Sequence, residues 1–236
     1  MTAKFFEILV ISLVIFIYAI VTYQRNFVWQ NDLSLWQDVV KKSPLKARGY
    51  NNLGKKFNDL NKPKEAIKVL KIALSLCPYY APVYTNLGIS YCSLKAYIQG
   101  IQLFRKALSL DPYQFEAFYN LGMAYSEMGH DDKAIHLYRH AIELNPFDSD
   151  VHYNLGLVYK NRHFYKQAID EFKKTIELRP NDYKPYLNIG MISLYHLKDR
   201  EKALYYLSQA LKLNPQQPQA FKIRQTIMEL KKRGSR

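Results

Sequence analysis

The chain has 236 residues, of which 48% are hydrophobic and 23% are charged, so it can bury a core and is not disordered throughout. Nine glycines, ten prolines and two cysteines exclude a collagen-like chain, a low-complexity chain and a disulfide-stabilised scaffold. Thirty-four basic against twenty acidic residues give a net charge of +14, which is compatible with anionic lipid, nucleic acid or an acidic protein as neighbour.

The first predicted element is a transmembrane helix over residues 5–24. The segment FFEILVISLVIFIYAIVTYQ carries one charge, Glu7, and about twenty helical residues span roughly the 30 Å of a hydrocarbon layer. Tyr18, Tyr23 and Trp29 lie towards its end, as aromatic rings do at a membrane interface. A cleaved signal peptide is the alternative, but the apolar segment is long and no A-x-A cleavage site follows it. We therefore expect an uncleaved, single-pass anchor.

The charges beside this anchor do not decide its orientation. The positive-inside rule sets Lys4 and the amino terminus against Arg25, with Lys41 and Lys42 at the limit of the useful window. Two cysteines without an evident pairing fit a reducing compartment, although buried thiols are inert in any compartment.

Residues 31–46 are predicted to form a capping helix at the start of the repeats described next. Counted back from Pro44, Trp36 and Val39 take the core positions of a second repeat helix. Because this helix follows the anchor after only a few residues, we expect the repeats to lie close to the bilayer.

From residue 47 one unit is repeated five times, over 47–80, 81–114, 115–148, 149–182 and 183–215. The tripeptide Asn-Leu-Gly recurs every 34 residues, with Ile replacing Leu in the last copy, and a proline recurs at the same spacing until the turn around Leu197–Asp199 adds one residue. Apolar residues three, four and seven apart predict two amphipathic helices per unit. One such pair cannot bury its own apolar face, so neighbouring units must stack.

This pattern resembles the tetratricopeptide repeat family over roughly residues 47–215. The shared positions, counted from the first residue of each unit, are glycine at position 8, a small residue at 20, a large apolar residue at 24 and alanine at 27. The resemblance implies an all-α fold, a right-handed superhelical solenoid of helix-turn-helix repeats. Residues 216–236 are then predicted to form a C-terminal capping helix and a basic tail.

In this family the first helix of each repeat lines the concave groove, where peptides bind. Position 6 there is an unbroken series: Asn52, Asn86, Asn120, Asn154 and Asn188. A carboxamide can pair with both the N–H and the C=O of a peptide unit, although Asn is also common at this position for structural reasons. Positions 5 and 9 add the apolar candidates Tyr119, Tyr153, Met123 and Leu157, with packing between repeats as the alternative.

Charge is unevenly distributed along the repeats. Residues 41–71 hold ten basic and two acidic residues, residues 111–148 hold two basic and seven acidic, and residues 212–236 hold seven basic and one acidic. The first block, nearest the anchor, is a candidate for contact with anionic lipid. We expect no nucleic-acid partner, because an acidic middle separates the basic blocks and no binding motif is present. A C-terminal acidic tail is a poor candidate ligand, because only Arg48 and Lys184 supply basic residues at position 2.

No residue pattern indicates catalysis. No nucleophile elbow, phosphate loop or carboxylate pair is present. His136 and His140 have a metal-compatible spacing but face outward at positions 22 and 26, with only Glu143 as a further ligand. His152 fills an aromatic packing position. We expect no enzyme activity, no cofactor and no metal.

Two functions remain open from the sequence. The first is a membrane-anchored scaffold or adaptor that binds protein or peptide partners in its groove and assembles a complex at the membrane. The second rests on the segment RNFVWQNDLSLWQDVVKKSP, which looks like the junction in polytopic membrane glycosyltransferases with C-terminal tetratricopeptide repeats. It implies a detached repeat module or accessory subunit of such a system. That likeness favours the exoplasmic side, which is the periplasm if the membrane is a bacterial inner membrane.

Overall fold

The computed structural model describes residues 2–28 and 31–232. These residues form thirteen α-helices and no strand, which confirms the all-α prediction. The helices are α1 Thr2–Val28, α2 Asp32–Lys42, α3 Ala47–Asp59, α4 Pro63–Leu76, α5 Ala81–Ser93, α6 Tyr97–Leu110, α7 Phe115–Glu127, α8 Asp131–Leu144, α9 Ser149–Asn161, α10 Tyr165–Leu178, α11 Tyr183–Tyr195, α12 Arg200–Leu213 and α13 Ala220–Lys232.

The chain divides into two compact units, Met1–Leu110 with α1 to α6 and Asp111–Arg236 with α7 to α13. In the first unit α3 pairs with α4 and α5 with α6. In the second unit α7 pairs with α8, α9 with α10 and α11 with α12. Each pair is one helix-turn-helix repeat, whose two helices meet along their apolar faces.

The contact between paired helices is set by the glycine at position 8 and the large residue at position 24. A Cβ added to Gly122 would lie 2.9 Å from the Tyr138 ring, and one added to Gly156 would lie 2.7 Å from the Phe172 ring. Both rings are at most 1% exposed. The glycine therefore leaves the space that the large side chain of the second helix fills.

The turn inside four of the repeats contains a residue with a left-handed backbone, and glycine provides it only once. Asn61, Lys95 and His163 have φ values of 53°, 60° and 63°, whereas Gly129 has 74°. In the last repeat Lys198 takes this conformation at 57°, one residue later than the 34-residue spacing predicts. The inserted residue is thus absorbed in the turn, and α11 and α12 keep 13 and 14 residues.

In each unit one further helix packs on a repeat. In the first unit, α2 packs on α3, where Val39 and Val40 approach Gly49 closely. In the second unit, Ile223 and Ile227 of α13 join Leu207 in one apolar cluster. The predicted basic tail extends to residues 233–236, which lie outside the described residues.

Within the described part of the chain, no helix combines the length and the apolar character needed to cross a membrane. Residues 29 and 30, and with them the interface position predicted for Trp29, lie outside the described residues. So do the side chains of residues 5, 8 and 24, which belong to the predicted span.

Candidate functional site

The position 6 asparagines of the first unit lie in a hydrogen-bonded network between neighbouring repeats. Asn86 donates from Nδ2 to Oδ1 of Asn51 at 2.9 Å, and Asn51 in turn donates from Nδ2 to Oδ1 of Asn52 at 3.4 Å. Asn58 donates to the backbone carbonyl of Asn86 at 2.8 Å and accepts from the Ser90 hydroxyl at 2.7 Å. The Asn51 and Asn86 side chains are nearly buried, so this network connects repeats directly.

The second unit repeats this arrangement with tyrosines as acceptors. Asn154 donates to the Tyr119 hydroxyl oxygen at 2.9 Å, and Asn188 donates to the Tyr153 hydroxyl oxygen at 3.3 Å. In both cases position 6 of one repeat bonds to position 5 of the preceding repeat. Asn120 donates instead to the Glu116 carbonyl within its own helix, at 2.7 Å.

The two tyrosines are packed as well as hydrogen-bonded. The Tyr119 ring lies 6.2 Å from the Tyr138 ring, and the Tyr153 ring lies 5.7 Å from the Phe172 ring. Burial raises the pKa of Tyr119 to about 12, and burial also raises the pKa of Tyr153. Both phenols therefore stay neutral at physiological pH and accept a hydrogen bond from the asparagine of the next repeat.

A cavity of about 270 Å³ brings several predicted site residues together on the first helices of the second unit. Met123, Asn154 and Leu157 line it, together with the Tyr138 ring and Glu127. The structure thus places a thioether, an aliphatic side chain and a carboxamide on one surface. Ser126, Glu127 and Asn161 complete the wall, so the surface offers limited apolar contact beside several polar groups that can orient a ligand.

A larger cavity of about 690 Å³ lies on the next pair of first helices, α9 and α11. Asn188 lines it with Met191 and Leu187, and Lys160 and Tyr165 form other parts of its wall. Asn161 lines both cavities, so the two adjoin within the second unit.

Lys160 lines the larger cavity, and Asn58 takes the same repeat position in the first unit; the sequence analysis singled out neither residue. Both occupy position 12, and both reach the next repeat: Asn58 bonds to the Asn86 carbonyl, and Lys160 donates from Nζ to Oδ1 of Asn188 at 2.7 Å. The available sequence signal was their spacing of three residues from position 9, which places both positions on one helix face.

His152 is a buried core residue that keeps both ring nitrogens hydrogen-bonded. Its Nδ1 lies 2.7 Å from a Glu171 carboxylate oxygen, and its Nε2 lies 3.1 Å from the Pro146 carbonyl. The Glu171 hydrogen bond raises the pKa of His152. In two other repeats a tyrosine hydroxyl donates to the equivalent proline carbonyl, from Tyr84 at 2.8 Å and from Tyr186 at 3.2 Å.

The candidate metal ligands lie apart from this surface. The rings of His136 and His140 are 4.7 Å apart, and His140 contacts Glu143 at 3.1 Å on an exposed helix face. Among the described residues, no group of three or more histidine, cysteine, aspartate or glutamate side chains is arranged to hold a metal ion. Burial raises the pKa of the Cys92 thiol to about 11, which leaves it a poor nucleophile.

The fold and the repeated contacts define a tetratricopeptide repeat protein, and family comparisons agree. Three tetratricopeptide repeat models match the chain, one over residues 115–148, one over 137–170 and one over both 81–114 and 183–217. Together these matches cover more than half of the chain, which therefore belongs to the tetratricopeptide repeat family. No curated protein matches the chain.

Solved structures with the same fold include MamA, YrrB and PilF. MamA has 29% identity and a TM-score of 0.63, with 69% of this chain and 95% of MamA covered. YrrB, described as a TPR protein with an unusual peptide-binding site, has 24% identity and a TM-score of 0.63, with 80% and 97% covered. PilF of Pseudomonas aeruginosa has 20% identity and a TM-score of 0.69, with 86% and 91% covered. The YrrB and PilF similarities establish the fold alone.

Proposed function

We propose that this protein is a membrane-anchored, non-catalytic scaffold that binds an extended peptide segment of a partner on the first helices of its repeats. The observation that carries the proposal is the pair of adjoining cavities in the second unit, where predicted site residues from consecutive repeats share one surface. YrrB, a protein of the same fold, is described as having a peptide-binding site.

Two features of the surface support a peptide as ligand. Met123 is 37% exposed, and a flexible thioether adapts to different apolar side chains. Asn154 makes one recorded hydrogen bond, to Tyr119, so within the described residues its Oδ1 remains an acceptor for a peptide N–H. Apolar contacts then supply binding energy, and the carboxamide orients the peptide backbone.

The helix α1 supports attachment to a membrane. All of its described side chains are exposed, including those of every residue from 9 to 23, and Ile15, Phe16 and Ile17 are 63%, 62% and 50% exposed. An exposed apolar surface of this kind requires a partner, and a lipid surface is the partner that we propose for it.

Basic groups beside α1 support contact with anionic headgroups. Lys41, Lys46 and Arg48 are exposed, although Lys42 and Lys56 already pair with Asp38 and Asp32. Each basic group near an anionic surface contributes about 1 kcal/mol. The proposed location is a membrane, the bacterial inner membrane if the source is a bacterium, with the repeats on the periplasmic side.

Site-specific photocrosslinking in intact cells tests the groove. A photoreactive phenylalanine analogue replaces Met123 or, as the matched control in the same unit, Phe147, which is 78% exposed at a turn between repeats. We expect a discrete crosslinked partner from position 123 and not from position 147. Equal adducts from the two positions, or none from position 123, would contradict binding on this surface.

Membrane attachment has its own test. Alkaline carbonate extraction should leave the wild-type chain in the membrane pellet and release a variant with Ile11→Arg and Ile15→Arg. Tyr113→Cys, at a position that is 80% exposed, should react with an impermeant thiol reagent in intact cells if the repeats are exoplasmic. Release of the wild type would refute the anchor, and protection of Tyr113→Cys until lysis would place the repeats in the cytoplasm.

The role beside a membrane glycosyltransferase stays a prediction. Within the segment that carries this likeness, the Asn31 side chain accepts from the Ser34 backbone N–H at 2.9 Å and caps α2. A cap of this kind is a local structural reason for asparagine at this position.

A further inference from the structure

A half-buried lysine forms part of the wall of the larger cavity in the second unit. Lys160 donates one hydrogen bond, to the neutral Oδ1 of Asn188 at 2.7 Å. An ammonium group has three donors, and among the described residues only this hydrogen bond uses one of them. Burial lowers the pKa of Lys160.

The cavity around Lys160 lacks a compensating negative charge. Among the described residues that line it there is no aspartate or glutamate, whereas Asn161, Gln219, His163 and His196 provide neutral polar groups and imidazoles. Desolvating a cation without a counter-ion is costly, and an anion that enters the site offsets that cost. A single ammonium beside neutral amides matches one carboxylate, whereas phosphate sites commonly use arginine clusters or helix N-termini.

The walls of the two cavities indicate what carries this carboxylate. Asn161 belongs to both cavities; the larger one offers Leu187, Met191 and Ile192 as apolar wall, whereas the smaller one is lined by Glu127, Ser126 and Asn154 beside Met123 and Leu157. The geometry points to Lys160 as the residue that recognises a carboxylate of a bound peptide, while a neighbouring apolar side chain of that peptide packs on the apolar wall of the same cavity. This inference rests on the proposed peptide-binding function. It differs from a clamp built on positions 2, 5 and 6, because Lys160 is at position 12.

Selection from a random peptide library tests the assignment. The full chain, immobilised in detergent micelles, is the target for mRNA-displayed short peptides. Lys160→Met removes the charge, and Lys173→Met is the matched control, because Lys173 is exposed on the neighbouring helix α10 and the change in net charge is the same. Equal melting curves by circular dichroism establish that both variants are folded, and Lys160→Arg keeps the charge if Lys160→Met is less stable.

We expect the selected peptides to share one carboxylate next to an apolar residue. Removing it should weaken binding about tenfold, which corresponds to about 1.4 kcal/mol. If changing Asp to Asn or Glu to Gln weakens binding, the recognised carboxylate belongs to an acidic side chain. If amidation of the C-terminus weakens binding, it is the terminal carboxylate. In either case the preference should disappear in Lys160→Met and persist in Lys173→Met and Lys160→Arg.

The possible failures are distinguishable. Peptides that bind without any carboxylate preference, or whose preference persists in Lys160→Met, overturn the assignment of Lys160 and leave peptide binding intact. A library that yields no binder at all contradicts the proposed function, and the inference with it.

Discussion

The hydrogen bond between Tyr119 and Asn154 should contribute measurably to stability, because it joins two consecutive repeats. Tyr119→Phe removes only the hydroxyl group and keeps the ring against Tyr138, at a centroid distance of 6.2 Å. Asn154→Ala removes the donor, which lies 2.9 Å from that hydroxyl oxygen. A neutral hydrogen bond of this length has a net value of about 0.5–1.5 kcal/mol, so each single variant should lose about 1 kcal/mol.

The double variant separates the bond from other effects of each substitution. If the two side chains interact, the coupling energy of the cycle should be about 1 kcal/mol. The pair Asn188 and Tyr153 is a matched comparison: its bond is longer, at 3.3 Å, and Asn188 has an alternative acceptor in the Lys184 carbonyl at 3.1 Å. Its coupling energy should therefore be smaller, about 0.5 kcal/mol.

Urea unfolding of the full chain in detergent, followed by circular dichroism, measures both cycles. The denaturant slope must be the same for all variants, since a repeat array can lose cooperativity and then yields no single unfolding free energy. A coupling below about 0.3 kcal/mol for Tyr119 and Asn154 would refute the bracing role. A larger coupling for the longer bond would refute the distance argument.

Three further substitutions test the packing, the turns and the buried histidine. Gly156→Ala should lower the melting temperature through a net loss of about 1–2 kcal/mol, because a Cβ 2.7 Å from the Phe172 ring costs more than the helix propensity gained; an unchanged melting curve would contradict this. Lys95→Gly should raise the unfolding free energy by about 0.5–1 kcal/mol, because φ is 60° in an exposed turn, and a loss in urea unfolding would argue against it. The Glu171 hydrogen bond raises the pKa of His152. The stabilisation of the fold by this bond is therefore complete below the unfolded-state pKa of about 6.5, and it is lost as the pH rises through the folded-state pKa. As the pH rises above about 6.5, the wild-type melting temperature should then fall more than that of His152→Tyr, and parallel profiles would exclude this linkage.

The repeat fold could be predicted from the sequence, because the same residue pattern recurs in five consecutive units. Glycine at position 8 and a large residue at position 24 predict close helix pairs, and the contact of Gly156 with Phe172 shows why both residue types are needed. The turn residues were harder to predict: Gly129 and, more weakly, Asn61 and His163 are residue types that favour a left-handed backbone, whereas Lys95 and Lys198 adopt one without such a preference. Their conformation follows from the flanking helices rather than from local propensity.

The candidate site was harder to predict, because its residues meet only when repeats stack. The sequence pointed to Asn154 as a ligand contact, with packing between repeats as an alternative for Tyr119, yet the bond between them crosses 35 positions. Lys160 sits on a polar stretch of α9 that carries no recognisable motif. Its proposed role in binding depends on its place in the larger cavity, whose described lining residues include no carboxylate, and the periodicity of the sequence shows neither feature.

A comparison of the five repeats distinguishes positions that join neighbouring repeats from positions that are candidates for ligand contact. Position 6 is Asn throughout, and the observed acceptors one repeat earlier, Asn51, Tyr119 and Tyr153, differ in type but all supply an oxygen. The last copy has Leu187 at this position, which has no side-chain oxygen and packs on the apolar cluster that includes Ile223 and Ile227 of α13. Position 9, with Met123 among its residues, and position 12, with Lys160, also change from copy to copy, and the proposed selection of a ligand rests on these two positions.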